Sequence, residues 1–301
     1  MVDNGSTDES VEFVGRHYPA VKVIRFERNE GFAEGYNRAV ASIEEEHVVF
    51  LNNDVEVEES WLAELKLGLK TSPDRLAACG SKILFYDNRS LVNHAGGMLA
   101  PIGSGIDLGF MMPDKPDGCR QRFVGCVSGA SMIMPRLVFL RLGGFDPDFF
   151  AYFEDVDLCW RAWLAGYRVV FRPSSRVYHK LSATMGPFQK PERLFFGERN
   201  RLLCMLKNLE TRNLIVAVFV SFFYTLYRIL GFLRSSKPMA ALAILRGNLW
   251  VLTHLPRIVT KRRQVQEGRQ IPDAFLVAHG LMVQFAEGFR EFARLAALRS
   301  H

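Results

Sequence analysis

Residues 47–54 read HVVFLNND, and this stretch decides the fold. Its run of apolar side chains predicts a buried strand over 47–51, which stops where the polar triplet 52–54 begins. A helical pattern follows at 59–69, while a strand at 21–26 and a helix ending near residue 45 precede it. Strands and helices that alternate in this way predict an α/β fold with a mostly parallel sheet flanked by helices.

Polar residues at two strand ends predict where the binding site lies. Asp54 follows the strand at 47–51, and Asp3 follows an apolar pair that is typical of the end of a strand. Ligands of such sheets bind beyond the carboxyl ends of the strands, so we expect both carboxylates to face one crevice. Because Met1 and Val2 read as the last residues of a strand, we also expect an N-terminally truncated chain that lacks its first strand.

The composition is that of an ordinary globular protein. Of 301 residues, 49% are hydrophobic and 23% are charged, and the net charge is +6. A basic balance of this size suits nucleic acid, an anionic membrane surface or a phosphorylated substrate, and does not choose among them. The five cysteines show no spacing typical of a zinc site, so we expect reduced thiols in a cytosolic setting.

A second informative stretch, 151–161, reads AYFEDVDLCWR. Glu154, Asp155 and Asp157 lie within four positions among aromatic side chains. Because ionised carboxylates are costly to bury without partners, the cluster indicates a pocket in which one acid acts as a base. The structural alternative is that these acids complement the free N–H groups of a helix start. For Asp157 we prefer a structural role, an ion pair with Arg161 one turn later.

The middle of the chain predicts more strands and a cover for the site. Short helices are expected at 136–142 and 155–165, and strands are expected at 78–85, 127–134, 167–171 and 177–179. Glycine, proline and aspartate dominate from 86 to 120, which predicts a loop or a small hairpin over the site.

The character of the sequence changes near residue 190, so we divide the chain into an α/β domain, 1–190, and a helical region, 191–301. Residues 214–233 are mostly apolar and carry no charge except that of Arg228, and they are barely long enough to cross a membrane. A second apolar pattern covers 240–259, and basic residues flank both. These features predict association with a membrane surface, with a single span possible. A hairpin packed on the first domain is the alternative. Residues 275–298 predict an amphipathic helix.

Six short motifs occur in a fixed order along residues 1–184. They are VDNGSTD at 2–8, NEGFAEGYN at 29–37, LNND at 51–54, SGA at 128–130, GFD at 144–146 and FEDVD at 153–157. In order and spacing they resemble the GT-A-fold family 2 glycosyltransferases, and most closely the bacterial rhamnosyltransferase-like enzymes of cell-wall and O-antigen assembly. One such motif is weak, whereas six in register are specific.

The resemblance implies a site for a nucleotide-sugar donor. Asp3 would bind the nucleobase, because its carboxylate can accept a hydrogen bond from N3–H of uracil or thymine. An ordinary turn is the alternative for this residue. Asn29, Gly31 and Asn37 would line the nucleotide, and Asn53 would complete the donor site beside Asp54.

The resemblance also implies a divalent cation, Mg²⁺ or Mn²⁺, that bridges the donor diphosphate. Asp54 would be its ligand, and His179 matches a metal-binding histidine of several relatives. The family often has two carboxylates where this chain has Asn52 and Asn53 in front of a single aspartate. We therefore expect the diphosphate to supply a larger share of the metal ligands.

The same comparison implies that Asp155 is the general base, and that Glu154, Gly129 and Ala130 contact the acceptor. One base opposite the leaving nucleotide implies a single displacement with inversion. We expect a glycosyltransferase at the cytoplasmic face of the plasma membrane. It would use dTDP-rhamnose or a UDP-sugar and a lipid-linked or polysaccharide acceptor, with no nucleic-acid partner.

Two alternatives remain open. The expected loss of the first strand would suit a non-catalytic nucleotide-sugar-binding or scaffolding remnant. A nucleotidyltransferase on a similar sheet would need a glycine-rich basic phosphate loop near its start; the given sequence shows no such loop, and the segment expected to be missing is where it would lie.

Overall fold

A computed structural model describes residues 1–71, 75–115, 120–180, 190–285 and 287. Its strands, in chain order, are β1 Val2–Asp3, β2 Ile24–Arg25, β3 His47–Leu51, β4 Val55–Val57, β5 Leu76–Phe85, β6 Val92–His94, β7 Gly97–Ala100, β8 Ser104–Asp107, β9 Arg122–Phe123, β10 Ser131–Pro135 and β11 Arg168–His179. Its α-helices are α1 Ser10–His17, α2 Gly31–Ala41, α3 Trp61–Lys70, α4 Arg136–Arg141, α5 Glu154–Leu164, α6 Pro191–Asn208, α7 Thr211–Arg234, α8 Pro238–Thr253, α9 Leu255–Glu267 and α10 Asp273–Ala278.

A seven-stranded sheet lies at the centre, in the order β3-β10-β5-β11-β4, with β6 beside β5 and β9 beside β11. Within the described part of this sheet, β5 and β11 pair in parallel and every other pair is antiparallel. The α/β class is as predicted, but the prediction of mostly parallel strands is wrong. Short connections join β5 to β6 and β7 to β8, and such connections give antiparallel pairs, whereas parallel neighbours such as β5 and β11 need a long crossover.

The strands that frame the predicted crevice agree with the sequence in part. β3 has the predicted bounds, and β1 pairs with β2 in parallel through Val2 and Ile24. The two strands predicted at 167–171 and 177–179 are one continuous β11, whose pairing with β5 shifts between Arg172 and Arg176. This single long strand carries His179 to the end of the sheet, where it pairs with Val55 of β4.

One hydrophobic core joins the sheet to the C-terminal helices. Trp160 and Trp163 of α5 are fully buried in it, and Leu203 and Cys204 of α6 belong to the same cluster. The two tryptophans are therefore core residues, as the size of their side chains favours. The boundary predicted near residue 190 stays a prediction, since residues 181–189 lie outside the described part.

The C-terminal helices differ from the predicted pattern in two places. The helix predicted at 240–259 is divided into α8 and α9 at His254, because Pro256 begins a new helix more readily than it continues one. The amphipathic helix predicted at 275–298 ends at Ala278, while 286 and 288–298 fall outside the described residues. Among the described helices, α7 alone is long and apolar enough to cross a membrane, by length and composition.

Candidate active site

The acidic cluster lies at the start of α5, where the proposed base is held by the backbone. Asp155 Oδ2 accepts a hydrogen bond of 2.8 Å from Gly129 N–H, and Oδ1 accepts one of 2.7 Å from Val156 N–H. Burial raises the pKa of this carboxyl above its usual value, although the two backbone hydrogen bonds favour the ionised form. The side chain is only partly buried, so a substrate hydroxyl can reach it. These are properties that a general base requires.

Glu154 is the most isolated acid of the cluster. It is 6% exposed, and its Oε2 has no hydrogen-bond partner among the described residues. Burial, followed by the neighbouring charge of Asp155, raises its pKa well above the usual range. The shift favours the protonated carboxyl, which can donate a hydrogen bond as well as accept one.

Asp157 has the structural role that its spacing predicts. Its Oδ2 accepts a hydrogen bond of 2.7 Å from Arg161 Nε, and its Oδ1 accepts one of 2.9 Å from Asn208. Although burial disfavours the charge, the Lys207 ammonium and the Arg161 guanidinium hold the pKa of Asp157 below its usual value. The acids of this helix start therefore differ: the surroundings of Asp157 favour its ionised form, whereas those of Glu154 favour its protonated form.

The two residues predicted to bind metal are brought together. His179 Nε2 lies 3.1 Å from Asp54 Oδ1, although 125 positions separate them in the chain. The side chains are 12% and 15% exposed, and the hydrogen bond from the imidazole lowers the pKa of Asp54. Within the described residues, no group of three acids, histidines or cysteines could hold a metal ion. One carboxylate and one imidazole fit a hard cation only if a substrate provides further oxygen ligands.

Residues 129 and 130 link this pair to the base. Ala130 O accepts a hydrogen bond of 3.1 Å from Asn52 N–H, while the adjacent Gly129 N–H binds Asp155. A side chain at Gly129 would meet Phe32 at 3.3 Å and Asp155 Oδ2 at 3.6 Å. Gly129 and Ala130, two of the three predicted acceptor contacts, therefore make these contacts through their backbone. They lie between Asp155 and the end of β3, which precedes Asp54. Asn53, a predicted donor contact, lies exposed in this turn.

Asp3, the predicted nucleobase contact, is buried and forms a turn, which was the alternative role considered for this residue. Its Oδ1 accepts a hydrogen bond of 3.1 Å from Ser6 N–H. Its Oδ2 lies 3.4 Å from Arg25 Nε and has no hydrogen-bond partner among the described residues. One oxygen therefore fixes the turn, and the other keeps its capacity to accept a hydrogen bond.

Three other predicted donor contacts have clear structural tasks. Asn29 accepts hydrogen bonds from Gly31 N–H at 2.9 Å and from the Asn4 amide at 3.1 Å. Gly31 has φ +83°, and a Cβ there would lie 2.5 Å from the Phe150 ring. Asn37 bonds both the N–H and the carbonyl of Phe145, at 2.9 and 2.7 Å. These residues connect the start of α2 to the loop before α5, and donor contact by them stays a prediction.

Sequence reasoning missed a buried histidine that interacts electrostatically with the base. His94 is 5% exposed, and its Nδ1 lies 2.9 Å from Asp107 Oδ1. Its charge acts on Asp155 and favours the ionised carboxyl. Its Nε2 has no hydrogen-bond partner among the described residues. The glycine pair that follows, Gly96 and Gly97, was the available signal, because such pairs mark places where the backbone approaches other groups closely.

Comparison with known proteins places this geometry in a family context. Residues 1–119 match the family described as Glycosyl transferase family 2. The chain is 31% identical over 208 residues to N-acetylglucosaminyl-diphospho-decaprenol L-rhamnosyltransferase of Mycobacterium tuberculosis, with 62% of this chain and 67% of that protein covered. It is 30% identical over 204 residues to the uncharacterized protein y4gI of Sinorhizobium fredii, with 64% of this chain covered. The chain spans only 22% of that second relative.

The fold has solved neighbours as well. A crystal structure of GalNAc-T7 with UDP, GalNAc and Mn²⁺ matches 66% of this chain and 40% of its own chain, with a TM-score of 0.52 and 21% identity. At this identity the likeness concerns the fold alone, and it confirms the predicted GT-A architecture.

Proposed function

This chain belongs to glycosyl transferase family 2, and from that premise we propose that it moves a sugar from a nucleotide-diphosphate donor to a hydroxyl group. The observation that carries the proposal is the hydrogen bond of 2.8 Å between Gly129 N–H and Asp155. It holds a partly exposed carboxylate of raised pKa beside the turn that contains Asp54. A base and a candidate cation site therefore lie on the two sides of one short backbone segment.

The proposed reaction is a single displacement with inversion. Asp155 takes the proton of the acceptor hydroxyl, and the hydroxyl oxygen forms a bond to the anomeric carbon as the bond to the diphosphate oxygen breaks. The nucleoside diphosphate departs with the electron pair of that bond. Glu154, whose raised pKa favours the protonated form, would hydrogen bond an acceptor hydroxyl without repelling the developing charge.

Asp54 and His179 would hold a divalent cation, Mn²⁺ or Mg²⁺, which stabilises the negative charge on the departing diphosphate when bound. Their distance of 3.1 Å and their partial burial support this role. A site with these two protein ligands leaves positions for diphosphate oxygens, and imidazole suits Mn²⁺ better than Mg²⁺. We therefore propose Mn²⁺ as the preferred ion.

We propose a lipid-linked acceptor, reached from the cytoplasmic face of the membrane. The Mycobacterium relative is named for an acceptor of this class, N-acetylglucosaminyl-diphospho-decaprenol. In this chain, α7 and α8 expose a broad apolar surface, which we call the apolar face. Its members are Ile215, Val216, Val218, Phe219, Phe222, Phe223, Leu226 and Tyr227 on α7, and Leu242, Leu245, Leu249 and Leu252 on α8. Apolar surfaces of this extent mark protein or membrane contacts.

The packing of α7 favours a helix that lies along the membrane over one that crosses it. Near the start of α7, Asn213 bonds Asp273, and in its middle Ser221 and Thr225 are buried against α6. Near its end, Phe232 packs against the cluster formed by Leu194 of α6 and Ala240 and Ala243 of α8. One side of the helix is thus fixed to the rest of the protein along its whole length. The opposite side is apolar, and exposed Arg234 and Arg246 are suited to anionic lipid headgroups.

The test is transfer itself. The chain is incubated in detergent with Mn²⁺, radiolabelled dTDP-rhamnose or UDP-N-acetylglucosamine, and N-acetylglucosaminyl-diphospho-polyprenol. Label in the lipid product, absent with EDTA or without acceptor, is the expected result. Nucleotide binding without transfer to any acceptor would contradict the proposal and favour the non-catalytic alternative.

A further inference from the structure

The backbone just before the base is held in an unusual conformation. Residues 149–153, which we call the base loop, lead directly into α5. Three of them have left-handed backbones, with φ of 60° at Phe150, 71° at Tyr152 and 67° at Phe153. Bulky residues rarely adopt this region, and they keep it only where the surroundings fix them. Some part of the molecule must therefore restrain the base loop.

Asn200 of α6 provides most of that restraint. The residue is fully buried, and its Nδ2 lies 2.9, 2.7 and 2.7 Å from the carbonyl oxygens of Phe149, Ala151 and Tyr152. Its two N–H groups are shared among three acceptors, so one amide fixes three of the five carbonyls of the loop. Buried carbonyls without such partners are costly, which gives the amide a strong hold on the loop.

The neighbouring arginine orients this amide. Arg199 Nε donates a hydrogen bond of 2.9 Å to Asn200 Oδ1, and Arg199 Nη2 donates one of 2.7 Å to Phe149 O. Since the amide oxygen is occupied by the guanidinium, the amide nitrogen must face the base loop. The orientation of Asn200 is therefore set by a charged donor.

The two remaining carbonyls of the base loop are also bound. Phe150 O accepts a hydrogen bond of 2.6 Å from Phe32 N–H at the start of α2. Phe153 O accepts one of 2.9 Å from Asp157 N–H and lies 3.8 Å from Cys204 Sγ of α6. The loop is thus clamped between α2, which carries predicted donor contacts, and α6.

The same turn of α6 is anchored on its other side. Glu198 accepts hydrogen bonds of 2.6 Å from Arg201 and from Arg228 of α7, and Arg201 donates one of 2.8 Å to Ser221 of α7. Glu198 is fully buried, and Arg201 is 3% exposed. The part of α6 that holds the base loop is therefore fixed to the helix that bears the apolar face.

We propose that Asn200, oriented by Arg199, is a positioning residue for the base: it keeps the base loop in its left-handed conformation, so that Asp155 is aimed at the acceptor hydroxyl. This inference rests on the proposed function, because it assigns Asp155 the role of base. Asn200 itself touches backbone carbonyls and acts through the loop. Loss of its amide lets the strained residues relax and moves the carboxylate away from the reacting oxygen. A displacement of about 1 Å is enough to cost about 10²-fold in rate.

The experiment compares Asn200→Leu, which removes the amide at similar volume, with Asn200→Gln, which keeps it on a longer arm. The matched control is Asn213→Leu, since Asn213 is a helical asparagine, partly buried, whose hydrogen bond among the described residues goes to Asp273 and not to the base loop. For each protein the transfer rate kcat, the Kd of dTDP with Mn²⁺ by calorimetry, and the Tm are measured. We expect kcat to fall about 10²-fold in Asn200→Leu, while the Kd of dTDP changes less than about threefold. Asn200→Gln should recover part of the rate, and Asn213→Leu should keep it.

Several outcomes would overturn the inference. One is a kcat of Asn200→Leu within about threefold of the wild-type value. Another is a loss of nucleotide binding that parallels the loss of kcat, because a general structural role predicts that both fall together. If Asn200→Leu gives no soluble protein, Asn200→Gln and Arg199→Lys carry the test. A lower kcat with unchanged dTDP binding in both supports positioning, and wild-type kcat in both overturns it. Absence of transfer by the wild type overturns the proposed function, and equal transfer by wild type and variant overturns this inference alone.

Discussion

His179 Nε2 lies 3.1 Å from Asp54 Oδ1, and this contact joins the end of β11 to the turn between β3 and β4. The antiparallel pairing of His179 with Val55 places both side chains at the same end of the sheet. Without ligands, a hydrogen bond holds the two side chains together. When a cation and the donor diphosphate bind, the cation would take the place of the proton between His179 and Asp54. In the proposed function, this contact would let a chain with one carboxylate after two asparagines offer two ligands to a metal ion.

The first prediction concerns this pair. Asp54→Ala and His179→Ala should each weaken the binding of UDP or dTDP in the presence of Mn²⁺ by about tenfold or more, since each loses one metal ligand. Calorimetry with Mn²⁺ and with EDTA measures the effect. Asp87→Ala, at an exposed acid beyond β5, is the matched control and should bind as the wild type does. Equal nucleotide affinity with and without Mn²⁺ in all of these proteins would exclude a metal role for the pair.

The second prediction concerns the base. Asp155→Asn should lower transfer about 10³-fold, because the amide cannot take the proton of the acceptor hydroxyl. Nucleotide binding with Mn²⁺ should stay near the wild-type value, since Asp3 and Asp54 are unchanged. Radiolabel transfer and calorimetry on the same preparation measure both quantities. Turnover close to the wild-type rate would refute the assignment of Asp155.

The sequence predicts β3 and α5 well because their signals are local. An apolar run bounded by polar residues defines the strand, and an i,i+4 spacing defines the Asp157–Arg161 pair. Strand direction carries no such signal, which is why the antiparallel β10 between β3 and β5 was not predicted. The hold of Asn200 on the base loop spans about fifty positions, so no local pattern shows it. The electrostatic interaction of His94 with Asp155 also joins residues that are distant in the chain, so no local pattern predicts it.

The third prediction concerns the pH dependence of transfer. The base must be ionised to act, so activity falls as pH drops through the raised pKa of Asp155. The charge of His94 lowers that pKa, and its removal should therefore raise it further. We expect the acidic limb of the kcat profile to move to higher pH in His94→Gln. His47→Gln, on the edge of β3, should leave the limb in place, and an unchanged limb in His94→Gln would contradict the coupling.

The fourth prediction concerns stability. The folded state raises the pKa of Glu154, so it binds this proton more tightly than the unfolded chain. The stability of the wild type should then fall as pH rises from the ordinary glutamate value toward the raised one. Glu154→Gln cannot ionise, so its stability does not fall with rising pH through this group. Its Tm should match that of the wild type at low pH and exceed it increasingly as pH rises, as measured by calorimetry. A Tm difference that is constant with pH would show that folding does not raise the pKa of Glu154.

The last prediction concerns the apolar face. Phe219 and Phe222 on α7 are 66% and 63% exposed, and their transfer from water to lipid should contribute about 1.5–3 kcal/mol each. Phe219→Glu and Phe222→Glu should therefore each weaken binding to vesicles that contain phosphatidylglycerol by about tenfold or more. The control is Leu137→Glu on α4, since Leu137 is 69% exposed but lies far along the chain from this face. Cosedimentation measures binding, and added salt should weaken it for anionic vesicles because the basic flanks of the face are screened. Equal sedimentation of the wild type and both phenylalanine variants would mean that the face covers something other than lipid.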